Sequence, residues 1–238
     1  MQLKTLCSTC SLRELCLPVG LNPEEITQLD AVVRQSRRIK RGEYLFRAGE
    51  AFTSLFAIRI GFFKTVIASQ DGRDQVTGFS MSGELIGLDG ISSGLHTCDA
   101  VALEDSEVCE LPFDRMEDLT QEIPSLQTHF YRLMSREIVR DQGVMLLLGN
   151  MKSEERMATF LLNLSQRLQK RGFAATDFIL RMSREEIGSY LGLKLETVSR
   201  NLSKFHQSGL INVDHKHIRI NDIQKLKEMV SGCSHQAH

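Results

Sequence analysis

The spacing of apolar positions along the chain changes character several times. The first twenty residues show no regular period. From Leu21 to Ser36 a helical spacing appears (Leu21, Ile26, Leu29, Val32, Val33), and Asn22-Pro23 supplies a helix start. Between Ile39 and Pro112 the apolar stretches become short. Turn signals interrupt them at Lys40-Arg41-Gly42-Glu43, Ala48-Gly49-Glu50, Gln70-Asp71-Gly72-Arg73, Ser82-Gly83-Glu84 and Ser92-Ser93-Gly94. That rhythm predicts a small barrel or roll of short strands, with Tyr44-Leu45-Phe46 and Ser54-Leu55-Phe56-Ala57-Ile58 as clear members. Pro112 ends it. Helical spacing returns from Ile123 to Asn150, stops at Gly149-Asn150, and resumes from Lys152 to Lys170. The last sixty residues read as three helices and a short β-hairpin. The predicted class is α+β, with an arm over 1–20, a β-roll over 21–115, a long helix over 116–150 and a final domain over 151–238.

Within the long helix, Tyr131, Met134, Ile138, Asp141 and Met145 are spaced 3, 4, 3, 4, the a/d repeat of a coiled coil. A homodimer seam is the expected use. Asp141 is then its odd member, because in a parallel homodimer it meets its own copy. Two facing carboxylates repel, so the seam is predicted to be poised, not constitutive.

The final domain carries the clearest motif. Ser183-Arg184-Glu185-Glu186 is a capping box, with Ser183 as N-cap and Glu186 reaching back. A helix from Arg184 to Leu191 stops at Gly192, and a second begins near Leu195 and runs to Phe205. Two short helices about a glycine turn are the helix-turn-helix plan. Ile187, Leu191, Leu193, Val198, Leu202 and Phe205 give the buried side. Glu196, Ser199 and Arg200 share the exposed face near the second helix's start, where such helices meet base edges. Arg200 can give two hydrogen bonds to guanine, Glu196 can accept from cytosine, and Ser199 can touch a base edge or a thymine methyl. Gly209-Leu210-Ile211 and His217-Ile218-Arg219-Ile220 form a wing.

Charge sharpens this picture. The 238 residues carry a net charge of −1, yet the part from Met151 onward carries +5 and the remainder −6. A basic segment joined to an acidic one fits nucleic-acid binding by one domain. The longest apolar run, Val144 to Leu148, is far short of a membrane span, and Lys4, Arg13 and Glu14 break the N-terminus. A cytoplasmic protein with no membrane partner is expected. No nucleotide loop, nucleophile elbow or His-Glu-x-x-His pattern suggests an enzyme.

Six cysteines in a cytosolic chain point to metal or redox chemistry, or to small buried hydrophobes. Cys7-x2-Cys10-x5-Cys16 is predicted to lie on a flexible arm. A four-thiolate site would take its fourth ligand from Cys98, Cys109 or Cys233. Spacing alone does not separate iron–sulfur from zinc.

The β-roll, long helix, Ser183–Phe205 and wing together resemble the CRP/FNR superfamily of bacterial regulators, over nearly the whole chain. Gly192-Leu193-Lys194-Leu195-Glu196-Thr197-Val198-Ser199-Arg200 is similar to the oxygen-responsive FNR-type branch and its ANR-like relatives. The cyclic-AMP-binding branch has an arginine where this chain has Leu195. The arm spacing and Glu107-Val108-Cys109-Glu110-Leu111-Pro112-Phe113 also resemble that branch. The resemblance implies a β-roll of the cyclic-nucleotide-binding kind and a [4Fe–4S] cluster on Cys7, Cys10, Cys16 and Cys109. It further implies an anaerobic homodimer on a palindrome of the form TTGAT–four bases–ATCAA, and contact with RNA polymerase near Asp71 to Phe79. Gly83-Glu84-Leu85 is similar to the start of a cyclic-nucleotide pocket, but His96 and Thr97 stand where its phosphate clamp has Arg-Ser, so no cyclic nucleotide is expected. The family's seam also has an arginine where this chain has Gln127. A zinc-stapled or otherwise signalled regulator without an oxygen response is the alternative.

Overall fold

A computed structural model describes residues 6–34, 36–68 and 74–231. The chain forms two compact units, Met1–Val139 and Arg140–His238, with the boundary inside one helix.

The first unit begins with a 3-10 turn, Cys7–Thr9, and helix α1 (Pro23–Val32). Asn22 caps α1 by accepting from the backbone N–H of Glu24 and Glu25, and Glu25 reaches back to the Asn22 N–H at 2.8 Å. Eight strands follow: β1 (Ser36–Ile39), β2 (Tyr44–Phe46), β3 (Ser54–Ile60), β4 (Phe62–Ala68), β5 (Asp74–Met81), β6 (Leu85–Ile86), β7 (Asp99–Ala102) and β8 (Ser106–Pro112). They pair antiparallel in two four-stranded sheets, β1-β8-β3-β6 and β2-β7-β4-β5. Side chains of both sheets, among them Phe46, Phe56, Ile58, Phe63 and Val108, fill the space inside the roll.

Strand β3 is apolar at successive positions because both of its faces are covered. The pleat sends alternate residues to opposite sides. Phe56 and Ile58 enter the roll interior, whereas Leu55 and Ala57 join an outer core with Leu17, Leu29, Leu111 and Met116. Gly61 makes the corner to β4 with φ +106°, and a Cβ there would lie 2.0 Å from Ser106 Oγ, so no larger residue fits.

Two departures from the sequence reading concern helices and strands. The helix expected over 116–150 is broken into α2 (Phe113–Glu122) and α3 (Pro124–Asn150). Pro124 lacks an N–H and pushes Ile123 to φ −119°, ψ 95°, outside the helical region. The second unit continues with α4 (Ser153–Gln169), β9 (Asp177–Ile179), α5 (Arg184–Leu191), α6 (Leu195–Gln207), β10 (Ile211–Asp214), β11 (His217–Ile220) and α7 (Ile223–Ser231). The wing is therefore a three-stranded sheet, β10-β11-β9, with β9 absent from the expected hairpin. Three residues carry too little periodicity to announce a strand.

Candidate metal centre and nucleic-acid interface

Strand β8 is central in its sheet, paired with β1 and β3. Its register sets Cys109 opposite Ala57 and Leu111 opposite Leu55. Cys109 thus faces outward onto the layer that the arm covers. Cys7, Cys10 and Cys16 line the same recess as Cys109, together with Arg59, Leu12, Leu17 and Val33. The structure thereby brings the four predicted cysteines together. Cys98 instead is 7% exposed inside the roll, with Asp89 as its hydrogen-bond partner at 3.5 Å. Cys233 lies outside the described residues.

The arm was expected to be flexible, but over residues 6–20 it is docked. Leu17 is 1% exposed, and Cys7 and Cys16 pack against the outer core. Two polar side chains from other elements form hydrogen bonds with it. The Asp30 carboxylate of α1 accepts from the backbone N–H of Cys7 and, at 2.9 Å, from Ser8 Oγ. Nε2 of His129, a buried residue of α3, stands 3.2 Å from the carbonyl oxygen of Cys16. A carbonyl only accepts, so Nε2 carries the proton. Burial holds His129 below the ordinary histidine pKa, which keeps the ring neutral. Neither residue was singled out by sequence; a buried Asp or His inside a helical pattern gives no local signal.

Burial pushes the Cys16 thiol up to about 12 and the Cys109 thiol up to about 11; Cys7 rises too, through burial and its neighbours Cys16, Asp30 and Cys109. Arg59 works the other way on Cys109. Its guanidinium, ion-paired with Glu107, is a cation placed beside thiols that must ionise to ligate. Soft thiolate donors in an apolar recess fit an iron–sulfur cluster or zinc by chemistry. Among the described residues, no three His, Cys, Asp or Glu side chains are grouped closely enough to hold a metal ion.

In the second unit the capping box is formed in both directions. Ser183 Oγ accepts from the Glu186 N–H at 3.1 Å, and Glu186 accepts from the Ser183 N–H at 2.6 Å. Gly192 ends α5 at φ +63°. Gly188 lets the turn close tightly, since a Cβ there would lie 2.6 Å from the Leu193 carbonyl oxygen. Val198, Leu202 and Phe205 bury one side of α6 against the unit's core. Glu196 and Arg200 are exposed on the other. Ser199 is only half exposed, and its hydroxyl receives a hydrogen bond from Arg184 at 3.2 Å. Arg184, which the sequence reading used only as part of a cap, therefore adds a cation to this face.

A profile of the Crp-like helix-turn-helix domain matches residues 155–229, and one of the cyclic nucleotide-binding domain matches residues 36–122. The transcriptional activator protein Anr of Pseudomonas aeruginosa is 47% identical over 226 residues, 95% of this chain and 93% of its own. The chain belongs to the CRP/FNR family of transcription regulators. A second family member, the fumarate and nitrate reduction regulatory protein of Escherichia coli, is 44% identical over 94% of this chain and 89% of its own. Among solved structures of the family, FixK2 from Bradyrhizobium japonicum superposes with a TM-score of 0.75 at 29% identity, covering 83% of this chain and 97% of that one.

Two further predicted sites can be placed against the family's fold. On α3, Tyr131, Ile138 and Met145 are 55%, 59% and 72% exposed, Asp141 is exposed and Met134 half-buried, an apolar stripe facing outward along the helix. Within the roll, His96 is 4% exposed and stacks on Phe46 with ring centroids 3.7 Å apart; its Nδ1 lies 3.3 Å from Asp89, which also takes the Thr97 N–H at 2.7 Å. Glu84 accepts from the Met81 N–H at 3.1 Å, within its own turn. The turn expected near Asp71 lies partly outside the described residues. Among the described residues no helix is long and apolar enough to cross a membrane.

Proposed function

We propose that this family member is an oxygen-sensing transcription regulator. Cys7, Cys10, Cys16 and Cys109 would hold a [4Fe–4S] cluster, and the loaded chain would form a homodimer on an FNR-type palindrome, activating or repressing through RNA polymerase. Loss of the cluster in air would return it to an inactive monomer. The carrying observation is the convergence of Cys109, distant in sequence, with the three arm cysteines on one recess. When bound, the cluster supplies the oxygen-reactive centre; the chain supplies thiolates, the Arg59 cation and an apolar wall.

Four thiolates on one zinc at 2.3 Å would lie about 3.8 Å apart, whereas a cluster would spread its ligands over separate iron atoms; relatives that include the fumarate and nitrate reduction regulatory protein support the cluster reading. In the same reading Glu196, Ser199, Arg200 and Arg184 form the DNA face, and Tyr131, Met134, Ile138, Asp141 and Met145 form the seam. Relatives named as anaerobic regulatory proteins support a role tied to the absence of oxygen. Cyclic nucleotide plays no part in it, since His96, buried in the roll, and the exposed Thr97 are both engaged with Asp89.

Visible absorbance of anaerobically purified protein, before and after air, is the test. A brown chromophore that bleaches in air and is lost in Cys109→Ser but kept in Cys98→Ser is expected. Full iron and sulfide content in Cys109→Ser would overturn the ligand set, and a colourless zinc protein would overturn the function.

A further inference from the structure

From the hydrogen bond between a buried imidazole and the arm's carbonyl, we infer that His129 couples the docking of the cysteine arm to the dimerisation seam of α3. The inference rests on the cluster reading above, because it concerns what cluster loading does to the rest of the chain.

His129 is 5% exposed and its Nε2–H points at the backbone oxygen of Cys16, 113 residues earlier. Cys16 is the last cysteine of the arm, and its position depends on whether the arm is docked. His129 stands two residues before Tyr131, the first seam position, on the same helix. One side chain therefore touches the sensor segment while its own backbone belongs to the seam element. A second contact fixes the helix start in a way that does not involve the arm: Ser125 Oγ donates to Glu25 Oε1 at 2.9 Å, tying α3 to α1.

When the arm is docked, the buried N–H has its acceptor. When the arm leaves, that N–H loses its acceptor on the face of α3 that carries Leu126 and Leu133 into the outer core, with Arg132 and Arg136 as its charged neighbours. A stranded buried donor is costly, so α3 is driven to shift or twist until the imidazole meets water. A helix is stiff, and a twist at His129 is carried to Tyr131, Met134 and Ile138. The docked arm thus favours one seating of the seam, and by linkage a formed seam favours the docked arm. Asp30 grips the other end of the arm from α1, whereas His129 meets it from the seam helix itself.

The test uses the full-length chain, anaerobically loaded with iron and sulfide, in three forms: parent, His129→Leu and His129→Gln. Iron and sulfide content and visible absorbance measure loading. Sedimentation in the loaded and metal-free states measures dimerisation. Loading should tighten dimerisation of the parent. In His129→Leu the cluster should assemble to parental content, yet the tightening should shrink at least tenfold, with the metal-free state unchanged. His129→Gln, whose side-chain amide can donate to the same carbonyl, should restore most of it. A role in packing alone would weaken both states equally and would not be rescued by Gln.

Undiminished tightening in His129→Leu overturns the inference. So does failure of that variant to load or fold, since His129 would then serve arm docking itself. Nitrogen-15 NMR of the histidine rings in the parent gives a measurement free of substitution: the His129 Nε2–H should be protected from exchange when loaded and unprotected in air. Equal exchange in both states overturns the coupling. A parent that never forms the chromophore overturns the cluster reading instead, and the inference with it.

Discussion

Arg156 offers the sharpest test of how the helix-turn-helix is held. Its guanidinium donates to three backbone carbonyls: Nε to Met151 at 2.9 Å, Nη1 to Leu191 at 3.0 Å and Nη2 to Leu148 at 2.8 Å. Leu148 lies in the last turn of α3, Leu191 is the last residue of α5, and Arg156 is in the first turn of α4. Helix ends leave their final carbonyls without partners inside the helix, and they carry partial negative charge. One planar cation therefore serves the C-terminal ends of α3 and α5 and the connection from α3 to α4. A hydrogen bond to a charged group contributes about 1.5–3 kcal/mol. Arg156 is half-exposed, so about 1 kcal/mol per bond is the better figure after screening, and Arg156→Ala should cost about 2–4 kcal/mol. For a unit of this size, that lowers the midpoint of melting by roughly 10–20 °C. Arg156→Lys keeps the charge but not the fork and should recover only about a third of the loss. Calorimetry of the full chain measures the first effect. Fluorescence anisotropy on a labelled palindrome measures the second, a weaker grip on DNA in both variants with unaltered iron content. Lys behaving like Arg, or Ala costing less than about 1 kcal/mol, would refute the argument that geometry, and not charge, makes this clamp.

The remaining expectations concern the seam, the reading face, the core and the wing. Asp141→Ala should remove carboxylate repulsion across the seam and keep the protein dimeric and DNA-bound in air, which aerobic sedimentation and gel shifts read directly; an equally monomeric variant would clear Asp141 of that role. Arg200→Ala should cost about 1–3 kcal/mol per half-site and relax selectivity at one G·C pair, whereas uniform weakening across single-base variants of the site would make it a positioning contact. Asn201 is 3% exposed in α6 and its Nδ2 has no partner among the described residues, so Asn201→Leu should raise the urea midpoint by the equivalent of about 1 kcal/mol; a lower midpoint would mean that an ordered water serves the amide. Hydrogen bonds from His217 and then Arg219 hold the Asp177 carboxyl below the ordinary aspartate value of 3.8. Its support of the wing is present above that value and lost as pH falls through the lowered one. A carbon-13 titration of Asp177 should show the low midpoint and Arg219→Ala should raise it; an unmoved midpoint would exclude the pair.

The helix-turn-helix was legible because its rules are local. A cap, a left-handed glycine and a 3.6-residue period each act over a few positions, and Ser183, Gly192 and the Val198–Leu202–Phe205 stripe form as their types require. Strands β2 and β3 were legible for the same reason. The start of the long helix was equally local, written in Pro124, and agrees with the helical spacing read from Ile123; only the wider 116–150 bound ran across the break. Strand β9 was not legible: Asp177–Ile179 becomes a strand only because β11 lies beside it.

The candidate metal centre divides along the same line. Three cysteines sit within ten residues and declare themselves by spacing. Cys109 does not, since one cysteine on a strand reads equally as a small hydrophobe, and Cys98 is one. What separates the two is the pleat. Cys98 belongs to the roll interior with Phe46 and Phe56, while the register Ala57↔Cys109 turns Cys109 to the outer face of a sheet covered on both sides. That two-sided cover also explains why the arm is docked. The outer face of β3 and β8 carries Leu55, Ala57 and Leu111, which water would otherwise wet, and Leu17 of the arm seals it along with α1 and α2. The arm is thus held by apolar contact and by Asp30, which offset the entropy lost on ordering residues 6–20, and in the proposed reading ligation by its cysteines adds to that docking.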